Sequence, residues 1–324
     1  MTQEKLKQSQ IKNQIKRPMN RRTLLKGLSK TAPGLVLGST LLQSACSARP
    51  TLDISPLTDS LFMISGAGSN VLVKKAAGGE LLVVDGGLEA NREALLDSIA
   101  EVTGSRNITT LMNTHWHREQ TGLNRVLGEA GVRIFAQENT RLWLGVEIER
   151  PWEDVIFEPL PPFAQPSETF FYYGDMDHFG TEIWYGNLIQ AHTDGDMYVY
   201  FPEENILHAG GVVSNDGYPL IDWWTGGWIG GLVDGLETLL GLVNEQTLIV
   251  PANGPVMSYQ ELVAMREMYN TLFRRIRDSF MSANTEQETL ATAPTAEFDA
   301  VWGDSEAFIR LAQQSLIAHL APDA

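Results

Sequence analysis

Two histidines one residue apart, His115 and His117, stand in the stretch THWHREQTG, and a third, His192, stands in AHTDGD. Each group follows an apolar, strand-like run, the place where open α/β sheets present their ligand-binding loops. In extended backbone a His-x-His pair sends both imidazoles to one side, so the two rings converge. Three neutral imidazoles with a fourth position left open make a catalytic zinc site, in which bound water ionises near pH 7. Cys46 is the only cysteine, so the folded part has no disulfide and no thiolate ligand. Any metal must therefore be held by His, Asp or Glu. A glutamate and a glutamine, Glu119 and Gln120, follow the pair where another acid–histidine pair would be expected.

The surrounding pattern alternates short strands and helices. Residues 61–65, 70–74 and 81–85 read as strands separated by Gly-containing turns. Residues 92–102 carry apolar side chains at helical spacing, and 108–112 form a short buried strand running into the histidine pair. A helix over 121–130, a strand over 132–136 and a helix over 139–146 follow. The Pro- and aromatic-rich stretch 150–167 is expected to lack regular structure and to cover something. Strands recur at 169–173, 181–185, 188–191, 197–201, 206–209 and 247–250, with helices at 231–243 and 259–279. After a polar spacer at 282–296 comes a helical tail over 298–320. A β-rich half, a crossover helix, a second β-rich half and a helix are the order of an αββα sandwich in one α/β domain.

Residues from about 57 to 275 resemble the metallo-β-lactamase superfamily. GSNVLVKK with GGELLVVDGG is similar to the opening strands of that family, and THWHREQTG to its H-x-H-x-D-H motif. AHTDGD is similar to its G-H-T-x-G motif, LHAGG to its H-x-G-D segment and VPANGPV to its P-G-H-G segment. The resemblance implies the αββα fold, one zinc on His115, His117 and His192, and Asp85 supporting the metal loop from behind. It also implies a second metal site at positions held here by Glu119, Gln120, Gly211 and Asn253. Neutral amides and a glycine are poor ligands, so one zinc ion per chain is expected. Glu119 takes the place of the family's Asp and would orient the water or accept its proton. Gln120 and Asn253 would either donate hydrogen bonds to an oxyanion or fill the vacated space. His208 matches a histidine of the family that lies behind the ligands or in the core.

Other polar candidates carry less. One of Asp194 and Asp196 is expected to stabilise the turn after His192, His178 to sit solvated in a hairpin turn, and His319 to pack in the terminal helix. Trp116, Trp223, Trp224 and Trp228, with Trp152, would form either an apolar wall for a flat small-molecule substrate or ordinary packing.

The first 45 residues read as an export signal. A basic region ending in NRRTLLKGL resembles the twin-arginine signal, which implies the twin-arginine export machinery as a partner and a periplasmic or exported protein. LLQSAC is similar to a lipobox, with Gln43 where that motif has Leu; lipidation of Cys46 and cleavage after Ala48 both stand as readings. Membrane contact is expected only through that anchor. Residues 46–56 would be a linker, 57–281 the metallo-β-lactamase-like domain and 282–324 a polar spacer with a helical extension. Nine of the 24 Lys and Arg and one of the 40 Asp and Glu fall in residues 1–45, which leaves a net charge of about −24 beyond them. Such a surface repels phosphate backbones and argues against nucleic acid. The expected function is an exported single-zinc hydrolase of an ester, lactone or amide. The alternatives are a periplasmic binding protein on the same fold or, more narrowly, a true β-lactamase.

Overall fold

The computed structural model describes residues 50–150 and 154–320. The export signal expected over 1–45, Cys46 and Trp152 lie outside the described residues. In chain order β1 (Asp53–Pro56), β2 (Leu61–Ser65), β3 (Val71–Lys75), β4 (Leu81–Val84), β5 (Ile108–Asn113) and β6 (Arg133–Gln137) line up as neighbours. β7 (Ile148–Arg150) and β8 (Val155–Phe157) form a separate hairpin, and β9 (Glu168–Phe170) closes the first sheet against β6. The second sheet holds β10 (Tyr173–His178), β11 (Thr181–Asn187), β12 (Met197–Phe201), β13 (Ile206–His208) and β14 (Leu248–Val250) in that order. Each sheet is antiparallel at its start and turns parallel at its end, from β4 onward in the first and at β13–β14 in the second.

The central strands are apolar on both faces, as strands covered on both sides must be. Their period of two divides them between separate cores. In β4, Leu82 and Val84 face the second sheet while Leu81 and Val83 face the helices α1 (Arg92–Thr103) and α3 (Asn124–Glu129). In β12, Val199 and Phe201 face the first sheet while Tyr198 and Tyr200 face α5 (Ile229–Leu242) and α6 (Tyr259–Met281). The result is helix, sheet, sheet, helix: the expected αββα sandwich. The long α6 starts at a capping box, Ser258 with Glu261, worth about 1 kcal/mol. Among the described residues no helix is long and apolar enough to cross a membrane.

Several expectations change. Residues 53–56, read as linker, are the edge strand β1, paired with β2. The helix expected over 121–130 breaks into α2 (Arg118–Thr121) and α3 at Gly122, whose amide donates across to the Gly87 carbonyl (2.8 Å) instead of along the helix, and α4 (Glu138–Leu144) stands where a helix over 139–146 is expected. The strand expected over 169–173 splits at Phe171 and Tyr172 where the chain passes from one sheet to the other. Residues 188–191 are turn rather than strand, with Gln190 at φ 49°. The stretch 150–167 contributes β8 and a 3-10 turn at Pro162–Ala164. α7 (Glu286–Ala291) interrupts the polar spacer, and α8 (Asp299–Trp302) and α9 (Glu306–Leu320) follow. α9 is no appendage: Phe308, Ile309, Ala312 and Leu316 lie in the same buried cluster as α5 and α6.

Candidate metal centre

β5 delivers the first two histidines. At its end Thr114 turns the chain, its amide donating to Asp85 Oδ1 (2.8 Å) and its hydroxyl to Asp85 Oδ2 (2.9 Å). Asp85 ends β4 in the left-handed region, at φ 65°, and so aims its carboxylate across to β5. The Asn113 side chain donates to the Gln120 carbonyl (3.0 Å), which holds the short helix after the pair against the strand. His192 comes from the other sheet, in the turn between β11 and β12. There the Asp196 carboxylate accepts from the amides of His192 (2.6 Å) and Thr193 (2.7 Å) and from the Thr193 hydroxyl (3.0 Å). Of the two expected acids, Asp196 is therefore the one that makes the turn.

The three rings meet symmetrically. Their centroids are 4.7 Å apart in every pair, with interplanar angles of 81–82°. One ligand nitrogen from each lies within 4.8 Å of the others, and all three residues are buried. Each ring is steered by a partner on its far nitrogen. His115 Nδ1 lies 3.0 Å from Thr114 Oγ1, which itself donates to Asp85, so the imidazole is the donor. His117 Nε2 lies 2.8 Å from Asp222 Oδ2, and His192 Nδ1 lies 3.4 Å from Asp196 Oδ1. Those partners leave His115 Nε2, His117 Nδ1 and His192 Nε2 facing one another with their lone pairs, the arrangement that carboxylate-backed metal ligands adopt.

Burial, reinforced by His192 and the other neighbouring cations, holds the imidazoles of His115 and His117 well below their usual pKa. Both rings are thus neutral near pH 7, as metal binding requires. Burial pushes Asp85 up to about 8 against the two Thr114 hydrogen bonds, and pushes His208 down to about 4. His208 sits behind the ligands: Nδ1 accepts from the Gly210 amide (3.1 Å), and Nε2 lies 3.4 Å from the Asn70 carbonyl and 3.7 Å from Asp85. Burial raises Asp222, with Arg150 and His192 opposing.

The rings form one wall of a 380 Å³ cavity, within the usual range for small-molecule sites. Glu119, Gln120, Gly211 and Asn253 all line it, so the four positions of the implied second metal do converge. They bring no ligand set of their own. A Cβ on Gly211 would lie 2.4 Å from His192 Nδ1 and 3.0 Å from His115 Cε1, leaving no room for any side chain. Asn253 takes the amide orientation in which its nitrogen donates to the carbonyls of Gly68 (3.3 Å) and Ala252 (3.1 Å). Its nitrogen is therefore spent on the backbone, and the reading of Asn253 as an oxyanion donor is set aside. Gln120 is 2% exposed, and its Oε1 has no hydrogen-bond partner among the described residues.

The aromatic wall is corrected. Among the described residues, no tryptophan lines the cavity. Trp116 points away from it, 2% exposed, donating to Thr225 Oγ1 (3.0 Å) and packing on Phe157. Trp228 stacks on His319 at 3.7 Å, and Trp223 meets Trp224 edge-on. Large side chains after a strand are ambiguous in sequence, and here they brace the loops that carry the site. Two residues were missed. Asp222, the acid before the Trp pair, carries no local signal of its contact with His117. Arg150 lines the cavity with its guanidinium near Trp116 (5.3 Å) and Phe157 (4.9 Å), brought there by the β7–β8 hairpin that the sequence did not reveal. His178 is buried rather than solvated, with Nε2 2.9 Å from Thr109 Oγ1.

Residues 65–263 match the family model described as the metallo-beta-lactamase superfamily. A metallo-beta-lactamase from Pontibacter korlensis superposes with a TM-score of 0.56 at 17% identity, covering 68% of this chain and 99% of that one. The DIM-1 metallo-beta-lactamase superposes with a TM-score of 0.55 at 18% identity, covering 68% of this chain and 98% of its own. At such identity these structures speak for the fold alone. No curated protein sequence matches the chain.

Proposed function

This chain belongs to the metallo-beta-lactamase superfamily, and from that premise we propose that it is a single-zinc hydrolase of small molecules carrying an ester, lactone or amide carbonyl. The observation that carries the reading is the ring triad, each imidazole steered by its own oxygen partner and each turned to offer its remaining nitrogen to one point. An all-imidazole donor set with a space in front of it fits zinc. His115, His117 and His192 would hold the zinc ion, which when bound would supply Lewis acidity and lower the pKa of a water toward 7.

The chain's own groups do the rest. Glu119 is half-buried on the cavity wall, where its carboxylate can orient an attacking water and take its proton. Asp222, Asp196 and the Asp85–Thr114 pair keep the rings in one tautomer, so the ligand geometry does not have to be assembled during turnover. The buried, neutral Gln120 and the side-chain-free Gly211 leave the substrate carbonyl a space that a second ion would otherwise take.

The test is metal content together with turnover. About one zinc per chain is expected, lost in His115→Ala, with hydrolysis of at least one ester, lactone, amide or β-lactam. Glu119→Gln should keep the zinc and lose activity by about 10²–10⁴-fold. Two zinc ions per chain would overturn the one-metal reading. The second reading, a binding protein without turnover, is favoured by the loss of every histidine and aspartate from the second-metal positions, and zinc without hydrolysis would select it. We further propose export through the twin-arginine route, with Cys46 as a lipid anchor. Arg21→Lys with Arg22→Lys should then retain the protein in the cytoplasm on cell fractionation.

A further inference from the structure

We propose that Tyr218 is a positioning residue through which the C-terminal helices α8 and α9 fix the loop walling the mouth of the metal cavity, and so set how substrate is bound there. The substrate comes from the hydrolase reading; the hold itself rests on the loop's own contacts. That loop runs from Val213 to Asp222 and is tied at both ends. At the first, the Ala252 amide donates to the Val213 carbonyl and the Asn215 amide to the Asn253 carbonyl, each at 2.9 Å. At the second, the Asp222 amide donates to the His192 carbonyl (3.0 Å), its carboxylate lies 2.8 Å from His117 Nε2, and Ile221 is buried beside it. Between these ties, residues 216–220 make no backbone hydrogen bond among the described residues. Yet Asp216 and Leu220, with Ser214, line the cavity. A stretch without backbone bonds opens readily unless side chains hold it.

Tyr218, in the middle of that stretch, supplies the hold. Its ring stacks on Phe308 of α9, with centroids 5.2 Å apart and planes at 20°, and meets Trp302 of α8 at 6.1 Å. Its hydroxyl donates to Asp299 Oδ1 (2.8 Å) at the start of α8. Phe308 is 3% exposed within the cluster that also contains α5 and α6, so the loop is anchored on core. Ring and hydroxyl fix the side chain at two points, which neither an apolar nor a small polar residue could do. α8 and α9 follow residue 263, where the family match ends, so the cavity wall is held from outside the matched part of the chain. Releasing Tyr218 lets Asp216 and Leu220 move while the tied ends keep the three histidines in place. Substrate binding should weaken and metal binding should not.

Three variants of the zinc-loaded protein grade the hold. Tyr218→Phe keeps the stack and loses the hydrogen bond, Asp299→Ala removes the same bond from the other side, and Tyr218→Ala removes both contacts. Backbone ¹⁵N relaxation at Gly217 and Leu220 should give order parameters of about 0.85 in the unaltered protein and below about 0.6 in Tyr218→Ala, with the other two variants alike and in between. Unchanged values in Tyr218→Ala, or a fall spread evenly over the molecule, would overturn the proposal. Steady-state kinetics with 4-nitrophenyl butyrate, dihydrocoumarin and nitrocefin, an ester, a lactone and a β-lactam amide, read the consequence for substrate. KM should rise about two- to tenfold in Tyr218→Phe and in Asp299→Ala, with no further rise in the double variant and with kcat and zinc content unchanged. A loss of zinc or of kcat at constant KM would make Tyr218 merely structural and sink the positioning role. If the unaltered protein turns over none of the three, the hydrolase reading falls and the effect on substrate falls with it, while the order parameters still decide whether Tyr218 holds the loop.

Discussion

Glycine at position 211 decides more than its size suggests. Its missing side chain lets two ligand rings close to a common point, since a Cβ would lie 2.4 Å from His192 Nδ1. Contacts that short cannot be relieved by a rotamer change, because both rings are held on their far side by Thr114 and Asp196. Gly211→Ala should therefore lower zinc affinity by about 10–100-fold, the range seen when the groups orienting ligands are disturbed. Competition against a chromophoric chelator measures it, and unchanged affinity would show that the rings can give way. The same residue explains what was legible. The histidines could be read from spacing because ligand type and loop position are local properties. The reason for Gly211 was not legible, because the sequence shows a missing aspartate and only the folded chain shows two imidazoles in the space it would need. Asn253 stayed open between two roles for a similar reason: an amide offers donor and acceptor alike, and only its neighbours choose.

At the scale of elements, strands were easier to foresee than the segments between them. β4 is short and wholly apolar, a pattern that only double-faced burial explains. The β7–β8 hairpin has only three-residue strands in a stretch rich in proline, too short for periodicity to register. It nevertheless brings Arg150 to the cavity. The terminal helix α9 was recognised as helical, but its amphipathic pattern does not say what it packs on. Its apolar face meets α6, and Leu316 has no exposed surface. Leu316→Ala should thus cost about 2–5 kcal/mol of the stability of the whole sandwich. Urea unfolding followed by tryptophan fluorescence checks this, and an unchanged midpoint would return α9 to the status of an appendage.

Across the whole molecule, the two sheets are joined by an apolar interior and by a few polar contacts, among them His178 of β10 with Thr109 of β5. Burial, aided by Arg133 and opposed by Glu80 and Asp177, pushes the His178 imidazole below its usual pKa. The unfolded chain takes up a proton near pH 6.5 that the folded chain still refuses. Its contribution is therefore fully present above about pH 6.5 and is lost as pH falls below that value. Stability compared at pH 8 and pH 5.5 should fall less in His178→Gln than in the unaltered protein; an equal fall would place the acid sensitivity elsewhere. The three histidines straddle the same seam, with His115 and His117 at the end of one sheet and His192 in a turn of the other, tied by the Met197 amide donating to the Thr114 carbonyl (2.8 Å). Neither sheet alone owns a full set, and an ion gripped by two rings exchanges far faster than one gripped by three. On the proposed zinc reading, metal that survives passage through a desalting column certifies that the sheets have mated. The zinc-to-chain ratio can grade any refolded or altered preparation before a single substrate is known.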